Sequence, residues 1–237
     1  MPKDTCAQNL YHDYSITAFS VFHALDKLKS TASGNDMLPF WFLKAAAPFI
    51  AEPLSSLFSL SLRCGFVPQQ WKTAVISSVP KIQRPTSDVD FRPISLTPIL
   101  SRVLEKCLVR KEFYPLLQRP DNALKFSDQF AFRPTGSTTS ALIYILHLVS
   151  DMLQTNPYVH IIALDFSKAF DSLSHPPLLQ ALSTLGLSDA AYNWLVSFLS
   201  DRNHLTKFEG NTSEVSFINA SVVQGSAVGP FCFISSA

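Results

Sequence analysis

One aspartate stands where it could bind a metal ion. The segment "YVHIIALDFSKAFDSLSH", residues 158–175, places Asp165 directly after an apolar run, residues 159–164, that is typical of a buried strand. A carboxylate at the end of such a strand is costly to desolvate unless it binds something. Together with the backbone carbonyl of Phe166, Asp165 could supply half of a Mg²⁺ site, which phosphate oxygens and water would complete. The alternative is that Asp165 only caps the turn that follows it.

The composition describes a chain that can bury a sizeable core. It has 237 residues, of which 47% are hydrophobic, and a formal net charge of +1. This small charge gives no general attraction to nucleic acid, so nucleic-acid binding would have to come from local basic patches. The four cysteines and six histidines are scattered, which argues against a zinc site and a disulfide framework. The N-terminus does not resemble a signal peptide, and prolines interrupt the most apolar long region, so we expect a soluble protein.

The order of elements predicts an α+β fold rather than a regular alternation of strands and helices. Residues 16–28 and 39–63 have helical spacing, and residues 73–79 read as a short strand. A third helix is predicted to begin with Thr97 as its N-cap. The remaining predicted elements are a helix over residues 139–153 with its apolar side chains inward, a strand over residues 159–164, helices capped by Ser174 and Ser188, and a hairpin about Gly210 and Asn211.

In the block "LDFSKAFDSLSH" an aspartate follows a hydrophobic run, and this block resembles the first palm motif of the reverse transcriptases of non-LTR retrotransposons. Four further blocks carry the same resemblance. "DFRPISLTPILSRVLEK" and "DQFAFRPTGSTTSAL" resemble two fingers blocks, and "VVQGSAVGP" resembles the later palm motif that holds template and nucleotide. A block that begins "GNDMLPFWFLKAAAP" resembles the segment before the fingers. The blocks occur in the family's order from about residue 34 to residue 230.

The resemblance implies the fingers and part of the palm of a right-hand polymerase. We expect an N-terminal helical extension over residues 1–70, fingers over residues 71–157 and a partial palm over residues 158–237. The implied activity of the parent element is Mg²⁺-dependent addition of deoxynucleotides to a DNA primer on an RNA template. In this family an aspartate pair on a later hairpin completes the two-metal site. That hairpin would follow Ala237, so we expect a truncated chain that is inactive by itself.

The resemblance also assigns roles to single residues. Asp165 would be the catalytic carboxylate and, with the Phe166 carbonyl, would bind Mg²⁺. Lys81 and Arg92 match basic fingers positions that contact the incoming triphosphate, since phosphoryl transfer needs cations around the developing charge. The alternative for both is an ordinary solvated surface charge.

Two further features would shape the nucleotide site. Phe170 would lie under the sugar, where its ring would exclude a 2′-hydroxyl and so favour deoxynucleotides; the alternative is ordinary core packing. Gln224 and Gly225 match the Q-G pair of the later palm motif, in which the glycine lets the backbone approach the nucleotide. Family members usually have proline where this chain has Val223. By itself a Q-G pair indicates only a turn.

Basic side chains are candidates for binding the template backbone. Arg102, Lys106 and Arg110 recur at four-residue intervals on one face of the third helix, and Arg133 lies in a fingers block. Contacts of this kind would be independent of base sequence and sensitive to salt. The alternative for the three helical residues is a solvated outer face.

Two other functions remain open for the whole chain. The first is a nucleic-acid-binding remnant that grips template without catalysis. The second is a phosphotransferase of the aspartyl-phosphate type, which needs an acid two residues after its nucleophile, where this chain has Ser167. We expect a location in the cytoplasm or nucleus and no membrane partner, while the oligomeric state is not predicted.

Overall fold

The fold combines a mixed sheet with helices. The computed structural model describes residues 14–133, 136–165, 170 and 172–236. Within these ranges the strands are β1 (Thr73–Pro80), β2 (Phe91–Leu96), β3 (Arg202–Phe208), β4 (Asn211–Thr212) and β5 (Ser216–Ile218). The predicted α+β class agrees with this mixture, and the predicted first strand is confirmed as β1.

The sheet is built around β1 and β3. β1 pairs antiparallel with β2 and parallel with β3, and β3 pairs antiparallel with β4 and β5 on its other edge. The turn between β3 and β4 consists of Glu209 and Gly210, whose φ angles are 47° and 81°. Positive φ at both central residues is what a type I′ turn requires. The predicted hairpin is therefore confirmed.

The helices supply most of the core. Those within the described residues are α1 (Ala18–Asp26), α2 (Phe40–Arg63), α3 (Ile99–Leu108), α4 (Tyr114–Leu117), α5 (Pro120–Lys125), α6 (Thr138–Leu153), α7 (His175–Ser183), α8 (Asp189–Leu199) and α9 (Gly229–Ser236). The core is one cluster to which α1, α2, α3, α7, α8 and α9 all contribute. At its centre the indole Nε1 of Trp194 donates to Ser61 Oγ at 3.1 Å.

Two prolines shape the helix that begins with α3. Pro98 has extended backbone (φ −51°, ψ 136°), so the helix begins at Ile99. The prediction that Thr97 is the N-cap is therefore wrong. The Thr97 hydroxyl is buried without a hydrogen-bond partner in the described structure. α3 continues through a π-helical segment, Val109–Phe113, into α4. Pro115 accounts for the wider turn, because it lacks an N–H and its ring crowds the carbonyl four residues earlier.

α2 is long and apolar enough, by length and composition, to cross a membrane. One face of α2 is nevertheless part of the core, with Leu43, Ala47, Phe58 and Leu62 buried. Core helices of soluble proteins have the same length and composition, so this feature alone does not indicate a membrane span.

Two predictions of burial are wrong. The helix over residues 139–153 is present as α6, but its predicted inward side chains Leu142, Ile145, Leu148 and Met152 are exposed and Val149 is half-buried. Residues 159–164 do not form a strand, and Ile162 and Leu164 are 83% and 84% exposed. A strand needs a neighbour for its N–H and C=O groups, and the described strands pair only with one another.

Candidate nucleotide site

A cavity of about 480 Å³ brings three of the predicted site residues together. Lys81, Arg92 and Gln224 all line it. The β1–β2 hairpin positions the two cations, because Arg92 pairs with Val79 in the antiparallel ladder and Lys81 directly follows β1. Gln224 reaches the cavity from a turn far along the chain. The other lining residues are Asp88, Val89, Phe91 and Pro93.

The loop between β1 and β2 is held by its own hydrogen bonds. The Lys81 ammonium donates to the carbonyl of Val89 at 2.7 Å. The Asp90 carboxylate accepts the backbone N–H groups of Thr86 and Ser87 at 2.9 and 3.1 Å. These N–H donors, Thr86 first, lower the pKa of Asp90. These hydrogen bonds fix the loop in the conformation in which Lys81 and Arg92 line the same cavity.

Two polar groups in the cavity are free to bind a ligand. Arg92 and Gln224 line the same cavity. Among the described residues, the guanidinium of Arg92 and the amide of Gln224 have no hydrogen-bond partner. Arg92 is exposed and Gln224 is half-buried. A planar guanidinium can take two phosphate oxygens, and an amide can both donate and accept. The Asp88 carboxylate, which also lines the cavity, partly offsets the two positive charges.

Gln224 and Gly225 form the centre of a tight turn. The N–H of Ser226 donates to the carbonyl of Val223 at 3.1 Å, which closes the turn. Gly225 has φ +95°, and a Cβ atom there would lie 3.4 Å from the Ser95 carbonyl oxygen of β2. The 3.4 Å distance is an ordinary van der Waals contact, so the positive φ is what strains a side chain at position 225 and favours glycine there.

A buried carboxylate, Glu105 of α3, holds the far side of this turn. Its Oε2 accepts the hydroxyl of Ser226 and the N–H of Ala227, both at 2.8 Å. Its Oε1 accepts the hydroxyl of Ser101 at 3.0 Å. Burial raises the pKa of Glu105, against the effect of these donors and of the Arg202 charge.

The sequence prediction did not include Glu105. Its only signal was that Ser101 and Leu108 lie four residues before and three residues after it, so that Glu105 faces the core side of α3.

Arg202, at the start of β3, supplies the opposite charge in the interior. Its side chain is 2% exposed, donates from Nη1 to the Phe198 carbonyl at 3.0 Å and lies over the Phe198 ring at 4.5 Å from the ring centre. Burial lowers the pKa of Arg202 to about 10, so Arg202 stays protonated at neutral pH. The attraction between Arg202 and Glu105 therefore favours the ionised carboxylate.

Phe170 is next to the same turn but does not line the cavity. The N–H of Val222 donates to the Phe170 carbonyl at 3.0 Å. The Phe170 ring stacks on Phe233 with 4.8 Å between ring centres and meets Phe132 edge to face at 6.0 Å. The ring is half-buried in this aromatic cluster. Its proposed contact with the sugar remains a prediction.

Asp165 is exposed and does not follow a buried strand, contrary to the prediction. Phe166, the other predicted ligand, lies outside the described residues, as does Asp171. Within the part of the chain that the structure describes, no group of three or more His, Cys, Asp and Glu side chains could hold a metal ion. Asp165 therefore supplies at most one ligand, and the described residues do not by themselves fit a Mg²⁺ site.

The four candidate template contacts differ in their availability. Arg102 is half-buried and donates to Thr31 Oγ1 at 2.8 Å and to the Ala32 carbonyl at 2.9 Å. Arg133 donates to the carbonyls of Phe126 and Gln129. Both guanidinium groups thus donate hydrogen bonds to other parts of the protein itself. The other two, Lys106 and Arg110, are exposed.

The family follows from comparison with known proteins. Residues 80–236 match the family described as reverse transcriptase (RNA-dependent DNA polymerase). The chain belongs to this family. It is a reverse transcriptase domain of the non-LTR retrotransposon type, as the sequence blocks indicated.

The relatives are polymerases of mobile elements. The chain is 31% identical over 218 residues to the RNA-directed DNA polymerase from mobile element jockey of Drosophila funebris, covering 91% of this chain and 23% of the relative. The Drosophila melanogaster jockey polymerase is 29% identical over 219 residues, with the same two shares. A probable RNA-directed DNA polymerase from transposon X-element of Drosophila melanogaster is 26% identical over 236 residues, 98% of this chain and 26% of the relative. The chain thus spans about a quarter of their length.

Proposed function

We propose that this chain is the nucleotide-binding part of an RNA-directed DNA polymerase, with fingers over residues 71–157 and part of the palm over residues 158–237. Residues 1–70 form the helical extension in this proposal. Its substrates are deoxynucleoside triphosphates, an RNA template and a DNA primer. Its place is inside the cell, in the cytoplasm or nucleus.

The observation that supports this proposal best is the shared cavity of Lys81, Arg92 and Gln224. Two cations and one amide with hydrogen-bonding capacity suit a triphosphate, whose oxygens accept and whose charge is negative. The hairpin loop and the Gln224–Gly225 turn are each fixed by hydrogen bonds, so the site does not have to be ordered when the ligand binds.

Mg²⁺ would supply charge neutralisation and polarise the phosphoryl group in the complete enzyme. In our proposal Asp165 would be one of its ligands. The residues that the structure does describe act on the nucleotide itself. Lys81 and Arg92 bind phosphate oxygens, and Gln224 orients the nucleotide through its amide.

The test is the affinity of the chain for a fluorescent deoxynucleoside triphosphate, which is a measure of binding and not of turnover. We expect Arg92→Ala to weaken binding about tenfold, the effect of losing one charge-assisted hydrogen bond of about 1.4 kcal/mol. Lys81→Ala should also weaken it. Arg84→Ala is the matched control, because Arg84 is an exposed arginine of the same loop that does not line the cavity. Equal affinities of the Arg92→Ala and Arg84→Ala proteins would contradict the proposal.

A further inference from the structure

The Gln224–Gly225 turn is held on both sides by different parts of the protein. On the side that precedes it, the N–H groups of Ser221 and Val222 donate to the carbonyls of Leu173 and Phe170 at 2.8 and 3.0 Å. On the side that follows it, the connection is made by the side chain of Glu105. Only the first connection is backbone to backbone.

Ser226 is the centre of the second connection. Its hydroxyl donates to Glu105 and accepts the N–H groups of Val228 and Gly229 at 3.1 and 3.2 Å. Gly229 is the first residue of α9 and Val228 directly precedes it, so neither N–H group has a carbonyl partner earlier in that helix. Glu105 therefore fixes, through one hydroxyl, both the end of the turn and the start of α9.

Without the bonds that hold the segments on either side, the turn would have little to fix its conformation. It is closed by a single hydrogen bond, and its third residue is glycine, the residue with the widest choice of backbone conformations. Gln224 would thus lose its fixed direction if the following segment were released. A carboxylate buried at 0% exposure is costly, and Glu105 accepts three hydrogen bonds in this position.

We propose that Glu105 is a positioning residue, which holds the Gln224–Gly225 turn from inside the core so that the Gln224 amide faces the nucleotide cavity. The consequence at the cavity rests on the proposed function. The hold on the turn does not, because it is a property of the hydrogen bonds of Glu105. Glu105 acts through Ser226 and Ala227 and touches no ligand.

A conservative replacement separates the hydrogen bonds from the charge. In Glu105→Gln the amide oxygen can accept the Ser226 hydroxyl and the Ala227 N–H, while the amide nitrogen can donate to the hydroxyl of Ser101. This variant should therefore keep the turn in place. In Glu105→Ala all three hydrogen bonds are lost.

The matched control is Asn122→Ala. Asn122 is also buried, and its Nδ2 donates to the carbonyls of Leu116 and Leu185 at 3.0 and 3.1 Å. These bonds connect α5 to α4 and to the segment that follows α7, and they do not involve the turn. Ser226→Ala is a milder second variant, which keeps Glu105 but removes the hydroxyl that connects it to α9.

The experiment is hydrogen exchange of the full chain, measured by mass spectrometry for peptides within residues 222–229. After correction for global stability, we expect exchange there to be about tenfold faster in Glu105→Ala than in Asn122→Ala, equivalent to one hydrogen bond of about 1.4 kcal/mol. Exchange of residues 222–229 should also be faster in Ser226→Ala. In Glu105→Gln it should be as slow as in the unmodified chain. Equal exchange of residues 222–229 in Glu105→Ala and Asn122→Ala would overturn the proposal.

The affinity for the fluorescent deoxynucleoside triphosphate is measured on the same proteins. We expect Glu105→Ala, and not Asn122→Ala, to weaken binding about tenfold. If the unmodified chain does not bind the nucleotide, the proposed function fails, while the exchange comparison still decides whether Glu105 holds the turn. If exchange is faster in Glu105→Ala but its nucleotide affinity is unchanged, the role of Glu105 at the cavity is refuted.

Discussion

At the scale of single residues, burial and hydrogen bonding have opposite effects on the charge of Glu105. Its carboxylate is fully buried, which opposes ionisation, while Ser226, Ala227 and the Arg202 charge favour it. Burial is the larger effect, so the pKa of Glu105 lies above its ordinary value of 4.5. The folded protein consequently binds this proton more tightly than the unfolded chain does.

A pH dependence of stability follows from this shift. The contribution of Glu105 to stability is complete below its ordinary pKa of 4.5 and is lost as the pH rises through the higher folded-state value. We therefore expect Glu105→Gln to flatten the decline in the free energy of unfolding as the pH rises above 4.5. Urea unfolding across this range measures the decline. If the unmodified chain and Glu105→Gln lose stability in parallel as the pH rises, Glu105 is not responsible for the decline.

Asp90 provides a control of opposite sign. Hydrogen bonds from Thr86 and Ser87 lower its pKa, so its contribution is present above its ordinary value of 3.8 and is lost as the pH falls through the folded-state value. Asp90→Asn should therefore change only the acidic end of the curve. A change confined to neutral pH would contradict this assignment.

The residues of the site were predictable to different degrees. Lys81, Arg92 and Gln224 could be named because their spacing matches the family, and the structure brings them together. Glu105 could not be named, because a glutamate followed by Lys106 resembles a solvated position. Its hydrogen bonds reach a turn far along the chain, and sequence spacing carries no information about such a contact.

At the scale of elements, periodicity predicted whether a segment forms a helix better than it predicted which other elements cover that segment. The helical spacing of α2 and α6 is confirmed for both, yet α2 is buried on one face and the predicted inward side chains of α6 are not. Residues 159–164 have the composition of a buried strand but pair with no described strand. A segment is buried only where another part of the protein packs against it, and the residues of the segment itself do not determine which part that is.

The two glycine turns give a matched pair of tests. Gly210 and Gly225 both have positive φ, at 81° and 95°, so alanine at either position should cost about 1–2 kcal/mol. Only Gly225 adjoins a residue of the cavity. We expect both variants to lower the free energy of unfolding in urea and only Gly225→Ala to weaken nucleotide binding as well. Equal loss of nucleotide affinity in both would contradict the assigned role of the Gln224–Gly225 turn.

At the scale of the whole molecule, two regions expose large apolar side chains. On α6 these include Leu142, Ile143 and Leu146, and after it Ile161, Ile162 and Leu164. Exposed apolar surface of this kind favours association. We expect the chain to associate in a concentration-dependent way in sedimentation experiments.

A pair of charge variants tests this expectation. Ile162→Lys with Leu164→Lys should reduce association without lowering the melting temperature, because both side chains are exposed. His147→Lys with Gln154→Lys adds as many lysines nearby at exposed polar positions and is the control. Equal reduction by both pairs would mean that added charge, not loss of apolar surface, prevents association.

In the proposed function, Lys81, Arg92 and Gln224 form one site for a nucleoside triphosphate. The most direct measurement is an NMR titration of the isotopically labelled chain with a deoxynucleoside triphosphate. We expect the backbone amide signals of Lys81, Arg92, Gln224 and Gly225 to shift together, with one common dissociation constant. Saturation with shifts confined to other parts of the protein, or no shifts at all, would contradict it.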